Sequence, residues 1–142
     1  MSKDHADVIR VELPATTKYL SVVSACIAEI LTRVDGLEQR ESTIYNIQLA
    51  AHEACANIVD HAYDGYDDQR IEIVLTMEVP SKRFIIDLYD SGHSFDLAST
   101  TTPNFEVPQI RGYGLYIIRS LMDDVSYHPE PGSNHWCLVK QL

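Results

Sequence analysis

Basic side chains are scarce in this sequence, which has 11 lysine and arginine residues against 21 aspartate and glutamate residues and a net charge of −10. Proteins that bind nucleic acid draw much of their affinity from lysine and arginine contacts to phosphates, so the composition argues against that function. The same deficit argues against attachment to an anionic membrane surface. A bound nucleotide would need local donors and a cation, because the overall field repels anions.

Cysteines and long apolar runs are also few. The three cysteines, Cys26, Cys55 and Cys137, include no Cys-x-x-Cys pair, and their odd number closes no disulfide framework. We therefore expect reduced thiols in a cytoplasmic protein. No apolar run reaches the roughly 18 residues of a membrane span, and the first residues lack the apolar segment of a signal peptide. The length of 142 residues predicts one domain over residues 1–142.

The spacing of apolar residues predicts eight elements around one long loop. Their order is strand, helix, helix, strand, strand, helix, strand, strand, at residues 9–13, 20–34, 42–63, 71–79, 84–90, 112–122, 125–128 and 135–140. Residues 97–110 show no period, and a loop of this length is usually a lid or binding loop, or else disordered. This order predicts an α+β fold, a two-layer α/β sandwich with helices on one face of a mostly antiparallel sheet.

The first polar cluster lies on the second predicted helix. Glu53, Asn57 and His61 recur every four residues, so an α-helix projects all three from one side. A plain solvated face explains the spacing, and the neighbouring His52 and Asp60 fit that explanation. The alternative is a magnesium–nucleotide site, because an amide oxygen is a hard ligand for Mg²⁺ and a carboxylate can accept a proton from a hydroxyl.

The second cluster covers residues 90–96, at the end of a predicted strand. Asp90 continues the alternating apolar face of that strand, so its carboxylate is expected to point toward the core. A buried carboxylate is unfavourable unless it is paired or hydrogen-bonded. A turn through Gly92 is one way to satisfy it. A ligand donor, such as the exocyclic amine of a purine, is the other, and Gly92 would let the backbone approach the base.

The third cluster, residues 111–114, precedes the third predicted helix. Gly112 and Gly114 permit close approach to a helix start whose free N–H groups attract phosphate, and Arg111 adds a forked cation. A simple loop-to-helix turn explains the same residues. The phosphate-binding sequence Gly-x-x-x-x-Gly-Lys-Ser/Thr is absent, so the chain is not a P-loop protein.

The order of these clusters resembles the GHKL ATPase superfamily and its Bergerat nucleotide-binding fold, which has a mixed, mostly antiparallel sheet. Within that superfamily the chain is similar to the anti-sigma factor serine/threonine-protein kinases. The matching segments are residues 52–63, 90–96 and 111–123. The resemblance covers nearly the whole chain, from the first predicted strand to the last.

The resemblance implies a role for each matching residue. Glu53 would be the general base, Asn57 would hold Mg²⁺ against the phosphates, and residues 97–110 would form the ATP lid. Asp90 would accept the adenine amino group with Gly92 beside the ring. The expected nucleotide-binding residues are Asn57, His61, Asp90, Gly92, Phe95, Gly112, Gly114 and Leu115, and the position of Arg111, rather than the resemblance, predicts a contact to the γ-phosphate. Two positions depart from the family pattern, because Ser94 and Ile110 stand where glycines are common.

The resemblance also implies an activity and its partners. It implies a serine/threonine protein kinase that uses ATP and Mg²⁺, phosphorylates a STAS-domain anti-anti-sigma protein, binds a sigma factor and forms a homodimer. One alternative is a nucleotide-dependent binding module that sequesters a sigma factor or other regulator without kinase activity. Another is a small ATPase that releases phosphate to water. A histidine kinase is disfavoured, because no room for a histidine-bearing dimerisation helix precedes the nucleotide motifs.

Overall fold

The computed structural model describes residues 5–62, 69–92, 113–130 and 132–142, with the backbone alone at residues 61 and 62. Five strands and three α-helices make up the described fold. In chain order they are β1 (His5–Pro14), α1 (Leu20–Leu31), α2 (Arg40–Asn57), β2 (Arg70–Val79), β3 (Arg83–Asp90), α3 (Tyr113–Leu121), β4 (Asp124–His128) and β5 (Asn134–Gln141). A 3₁₀ turn, Thr17–Tyr19, precedes α1, and a π-helical turn, Ile58–Ala62, follows α2.

The five strands form one open sheet in the order β1-β2-β3-β5-β4. All four ladders between described strands are antiparallel. β5 therefore lies between β3 and β4, and the chain crosses through α3 before it returns to the sheet. The predicted α+β two-layer sandwich with a mostly antiparallel sheet is confirmed.

The hydrophobic core lies between the sheet and the helices. Alternate residues of β2 and β3 point into it, including Ile71, Ile73, Phe84 and Leu88, which are fully buried. The opposite sheet face carries Tyr89, Asp87 and other residues of intermediate exposure. Side chains alternate between the two faces of a strand, so the period-2 pattern of the sequence already assigned the inward face.

α2 carries small residues on its buried side. Ala50, Ala51 and Ala54 are fully buried, with Ile47 and Cys55 beside them. Burial without a compensating charge raises the pKa of the Cys55 thiol to about 12. α2 contacts α1 and α3, so it is the middle helix of the layer that covers the sheet.

The element boundaries differ from the predicted ones mainly at helix ends. α1 ends at Leu31 rather than near residue 34, although Val34 still packs against the core. The second helix was predicted over residues 42–63, but its α-helical part ends at Asn57 and continues as a π-helical turn. Glu53 and Asn57 lie in this α-helical part, whereas the side chain of the third residue of the cluster, His61, lies outside the described residues. None of the described helices has the length and apolarity to cross a membrane.

Candidate functional site

The buried carboxylate of Asp90 is the centre of one half of the site. Asp90 is the last residue of β3, its side chain points to the core as predicted, and only 6% of the residue is exposed. The backbone N–H of Gly92 donates to Asp90 Oδ1 over 3.0 Å, so the chain turns back on the carboxylate directly after the strand. The turn through Gly92 therefore satisfies part of this buried charge.

Asn134 supplies the second donor to the same carboxylate oxygen. Its Nδ2 donates to Asp90 Oδ1 and to the carbonyl oxygen of Gly92, each over 2.9 Å. Asn134 is fully buried and is paired directly with Asp90 across the β3–β5 ladder. Asn134 is not among the predicted site residues, because it follows a Pro-Gly pair and lies just before the predicted last strand. Only the strand register brings it to Asp90.

Two opposing effects act on the pKa of the Asp90 carboxyl. Burial raises its pKa above the ordinary aspartate value, while the hydrogen bonds from Asn134 and Gly92 act in the opposite direction. Within the described residues, both hydrogen bonds to the carboxylate fall on Oδ1. Oδ2 is therefore the oxygen that can accept a donor from a ligand.

The other half of the site is the meeting point of α2 and α3. A Cβ atom added to Gly114 would lie 3.0 Å from Asn57 Oδ1 and 3.2 Å from Glu53 Oε2. Both side chains are half-buried, whereas the neighbouring His52 and Asp60 are exposed. Gly114 has no positive φ, so the glycine is needed here for close approach rather than for backbone conformation. A carboxylate and an amide oxygen thus converge over the first turn of α3.

The Asp90 half of the site lies where β2 begins. The start of β2 pairs with the end of β3, since Glu72 lies opposite Tyr89.

The remaining predicted site residues divide into two groups. Leu115 is described, and its side chain is buried in the hydrophobic core, where it anchors α3. The side chain of His61, the residues Phe95, Arg111 and Gly112, and the predicted lid at residues 97–110 lie outside the described residues. Their predicted contacts to a nucleotide stay predictions.

The chemistry of the donors suits a hard cation, although no protein cage is present. Among the described residues, no group of three or more His, Cys, Asp or Glu side chains is arranged to hold a metal ion. Asn57 Oδ1 and Glu53 Oε2 are both oxygen donors near one point. Mg²⁺ usually keeps several waters and takes only one or two protein ligands beside substrate phosphates, so this sparse oxygen set fits it.

Comparison with known proteins gives consistent matches along the chain. Residues 13–140 match the family described as histidine kinase-like ATPase domain. A serine-protein kinase RsbW from Listeria monocytogenes serotype 4a is 31% identical over 134 residues, covering 89% of this chain and 82% of that protein. The serine-protein kinase RsbW of Bacillus subtilis is 30% identical over 138 residues, covering 92% of this chain and 83% of that protein.

Solved structures show the same fold at low sequence identity. The RsbU and RsbW domains of Rv1364c from Mycobacterium tuberculosis superpose with a TM-score of 0.64 at 18% identity, covering 96% of this chain. This chain spans about a third, 32%, of that longer protein chain. The histidine kinase domain of a blue-light activated kinase from Erythrobacter litoralis gives a TM-score of 0.59 at 15% identity, covering 92% of this chain and 62% of that one.

Proposed function

Because the chain belongs to the histidine kinase-like ATPase domain family, we propose that it is a protein kinase that transfers the γ-phosphoryl group of Mg-ATP to a serine or threonine of a partner protein. The observation that carries this proposal is the convergence of Glu53 and Asn57 on Gly114 at the start of α3. The free N–H groups of a helix start attract phosphate. A base and a metal ligand would then lie beside the phosphates.

The two polar residues of α2 divide the work. The Asn57 amide oxygen holds Mg²⁺, which neutralises phosphate charge that the chain's net charge of −10 disfavours. Glu53 accepts the proton of the attacking hydroxyl and orients it. Phosphoryl transfer needs in-line placement and charge stabilisation more than covalent chemistry, so few protein groups suffice.

The base of the nucleotide is assigned to the Asp90 half of the site. Asp90 Oδ2 accepts the exocyclic amine of adenine, while Asn134 and the Gly92 N–H hold Oδ1. Gly92 has no side chain to block a flat ring beside the turn. His61, Phe95, Arg111, Gly112 and Leu115 complete the proposed nucleotide contacts, and residues 97–110 form the proposed lid.

The acceptor is supplied by another protein, because the relatives of this chain are named serine-protein kinases. The family resemblance supports a STAS-domain anti-anti-sigma protein as that acceptor. A sigma factor as second partner, a homodimer and a cytoplasmic location belong to the same proposal.

The decisive experiment compares Glu53→Gln with His52→Gln, an exposed neighbour on the same helix. Labelled ATP and STAS-domain proteins from the same genome are the substrates, and calorimetry with ADP measures binding. We expect Glu53→Gln to lower phosphotransfer by about 10²–10⁴-fold with ADP affinity nearly unchanged, because general-base catalysis contributes that much. His52→Gln should keep full activity.

The other outcomes point elsewhere. An equal loss of ADP binding and transfer in Glu53→Gln means that this glutamate supports the pocket rather than the chemistry. Nucleotide binding by the wild type without transfer to any STAS protein favours the binding module that sequesters a regulator. Phosphate release without a partner favours a simple ATPase.

A further inference from the structure

A polar cluster lies on the open face of the sheet, directly behind Asp90 and Asn134. His135 Nε2 lies 2.7 Å from Asp87 Oδ1, and the two side chains are only 27% and 19% exposed. The His135 ring stacks on Tyr89, with ring centroids 4.4 Å apart and planes 10° apart. This cluster ties β3 to β5 through side chains as well as through the backbone ladder.

The cluster lies one residue pair away from Asp90 and Asn134 of the candidate site. Tyr89 pairs with His135, and the next pair along the ladder is Asp90 with Asn134, the last residue of β3 and the first of β5. Terminal pairs of a ladder open most easily. Here the last pair is held on the core face by the Asn134–Asp90 hydrogen bond and next to it, on the open face, by the His135 contacts.

We propose that Asp87 and His135 are positioning residues of the nucleotide site, which keep the last pair of the β3–β5 ladder closed so that Asp90 and Asn134 hold their geometry. The inference rests on the proposed function, in which Asp90 accepts the adenine amine. Neither residue contacts the nucleotide. Their effect is transmitted through one step of paired backbone.

The test uses His135→Phe, which keeps a ring on Tyr89 but loses the bond to Asp87. The matched control is Arg83→Gln, which breaks an ion pair to Glu78, also 2.7 Å long, at the opposite end of β3. Hydrogen exchange of the Gly92 amide, which donates to Asp90 Oδ1, measures opening without any ligand. We expect exchange to accelerate about fivefold in His135→Phe, the equivalent of one net hydrogen bond, and not in Arg83→Gln.

A second measurement tests whether the contact between His135 and Asp87 affects nucleotide binding. Calorimetry with ADP should show an affinity about fivefold weaker in His135→Phe than in Arg83→Gln. His135→Gln keeps a side-chain donor for Asp87 and should recover part of the ADP affinity that His135→Phe loses. If His135→Phe does not fold, Asp87→Val is used instead, because it breaks the same contact and valine is suited to a strand.

Three outcomes overturn the inference or its premise. Wild-type exchange at Gly92 and wild-type ADP affinity in His135→Phe overturn the inference alone. Equal changes in His135→Phe and Arg83→Gln also overturn it, because the effect is then general destabilisation. A wild-type protein that does not bind ADP overturns the proposed function. In that case, accelerated Gly92 exchange in His135→Phe still shows that His135 keeps the last pair of the β3–β5 ladder closed.

Discussion

Replacement of Gly114 by alanine is the most informative single change in the candidate site. The new Cβ atom would lie 3.0 Å from Asn57 Oδ1 and 3.2 Å from Glu53 Oε2, where ordinary van der Waals contact begins at 3.4 Å. Both atoms are the ends of half-buried side chains, which can move aside. The backbone of Gly114 has no positive φ, so alanine strains no dihedral angle.

Gly114→Ala should therefore leave the stability unchanged or slightly higher but lower the rate of phosphotransfer. Alanine in place of glycine inside a helix stabilises by up to about 1 kcal/mol, and small side-chain shifts offset part of it. We expect a free energy of unfolding that is unchanged or higher by less than about 1 kcal/mol. A misplacement of about 1 Å can lower a rate by about 10²-fold, so displacements of a few tenths of an ångström in Glu53 and Asn57 should lower phosphotransfer by roughly five- to tenfold.

The assay pairs thermal unfolding with transfer from labelled ATP to a STAS-domain protein. Ser120→Ala is the control, because Ser120 is an exposed residue of α3 away from Glu53 and Asn57, and its change also raises helix propensity. The control should be as active as the wild type. Full activity in Gly114→Ala would refute the assignment of the meeting point of α2 and α3. A loss of stability above about 2 kcal/mol would refute the view that the contact is adjustable.

Three further predictions follow from burial. Asp90→Asn keeps an acceptor for Asn134 and removes a buried charge, so it should abolish ADP binding yet raise the Tm at pH 7. Because the folded-state pKa of Asp90 is raised, this gain in Tm should shrink as the pH falls through that pKa. A Tm at pH 7 below that of the wild type would contradict the prediction. Ala54→Leu should lower the free energy of unfolding by about 1–3 kcal/mol in denaturant titration, because Ala54 is fully buried and the larger side chain overpacks the core. A neutral effect would show that the surrounding core can adjust to the added volume. The Cys55 thiol, whose pKa is about 12, should resist iodoacetamide at pH 8 in the folded protein and react after unfolding. Mass spectrometry measures the extent of labelling. Rapid labelling in the folded state would show that α2 opens locally.

The type of each regular element followed from the sequence. Period-2 alternation predicted β2 and β3 and placed Phe84 and Asp90 on the inward face, where both are buried. Helical spacing predicted α1, α2 and α3, and the structure has an α-helix at each of these places. These features are local, because the periods of helices and strands are set by backbone geometry within a few residues.

The limits of the sequence appear at the helix ends and at strand pairing. The end of the α-helical part of α2 at Asn57 was missed, since a π-helical turn has no clear signature in residue spacing. Asn134 was missed because its partner Asp90 lies 44 positions away in the chain. The spacing of Glu53 and Asn57 fitted a solvated helix face as well as a binding site. Only the structure shows that both side chains lie beside Gly114.

The sequence by itself determined which stretches become strands and helices, which of their faces turn inward, and which polar residues interrupt those faces. Only the tertiary structure decided that Asn134 holds Asp90, that Gly114 meets Glu53 and Asn57, and that His135 lies behind them with Asp87. The reason is that periodicity arises between near neighbours, whereas strand register and helix contacts join residues far apart in the chain, and their choice depends on how the whole core packs.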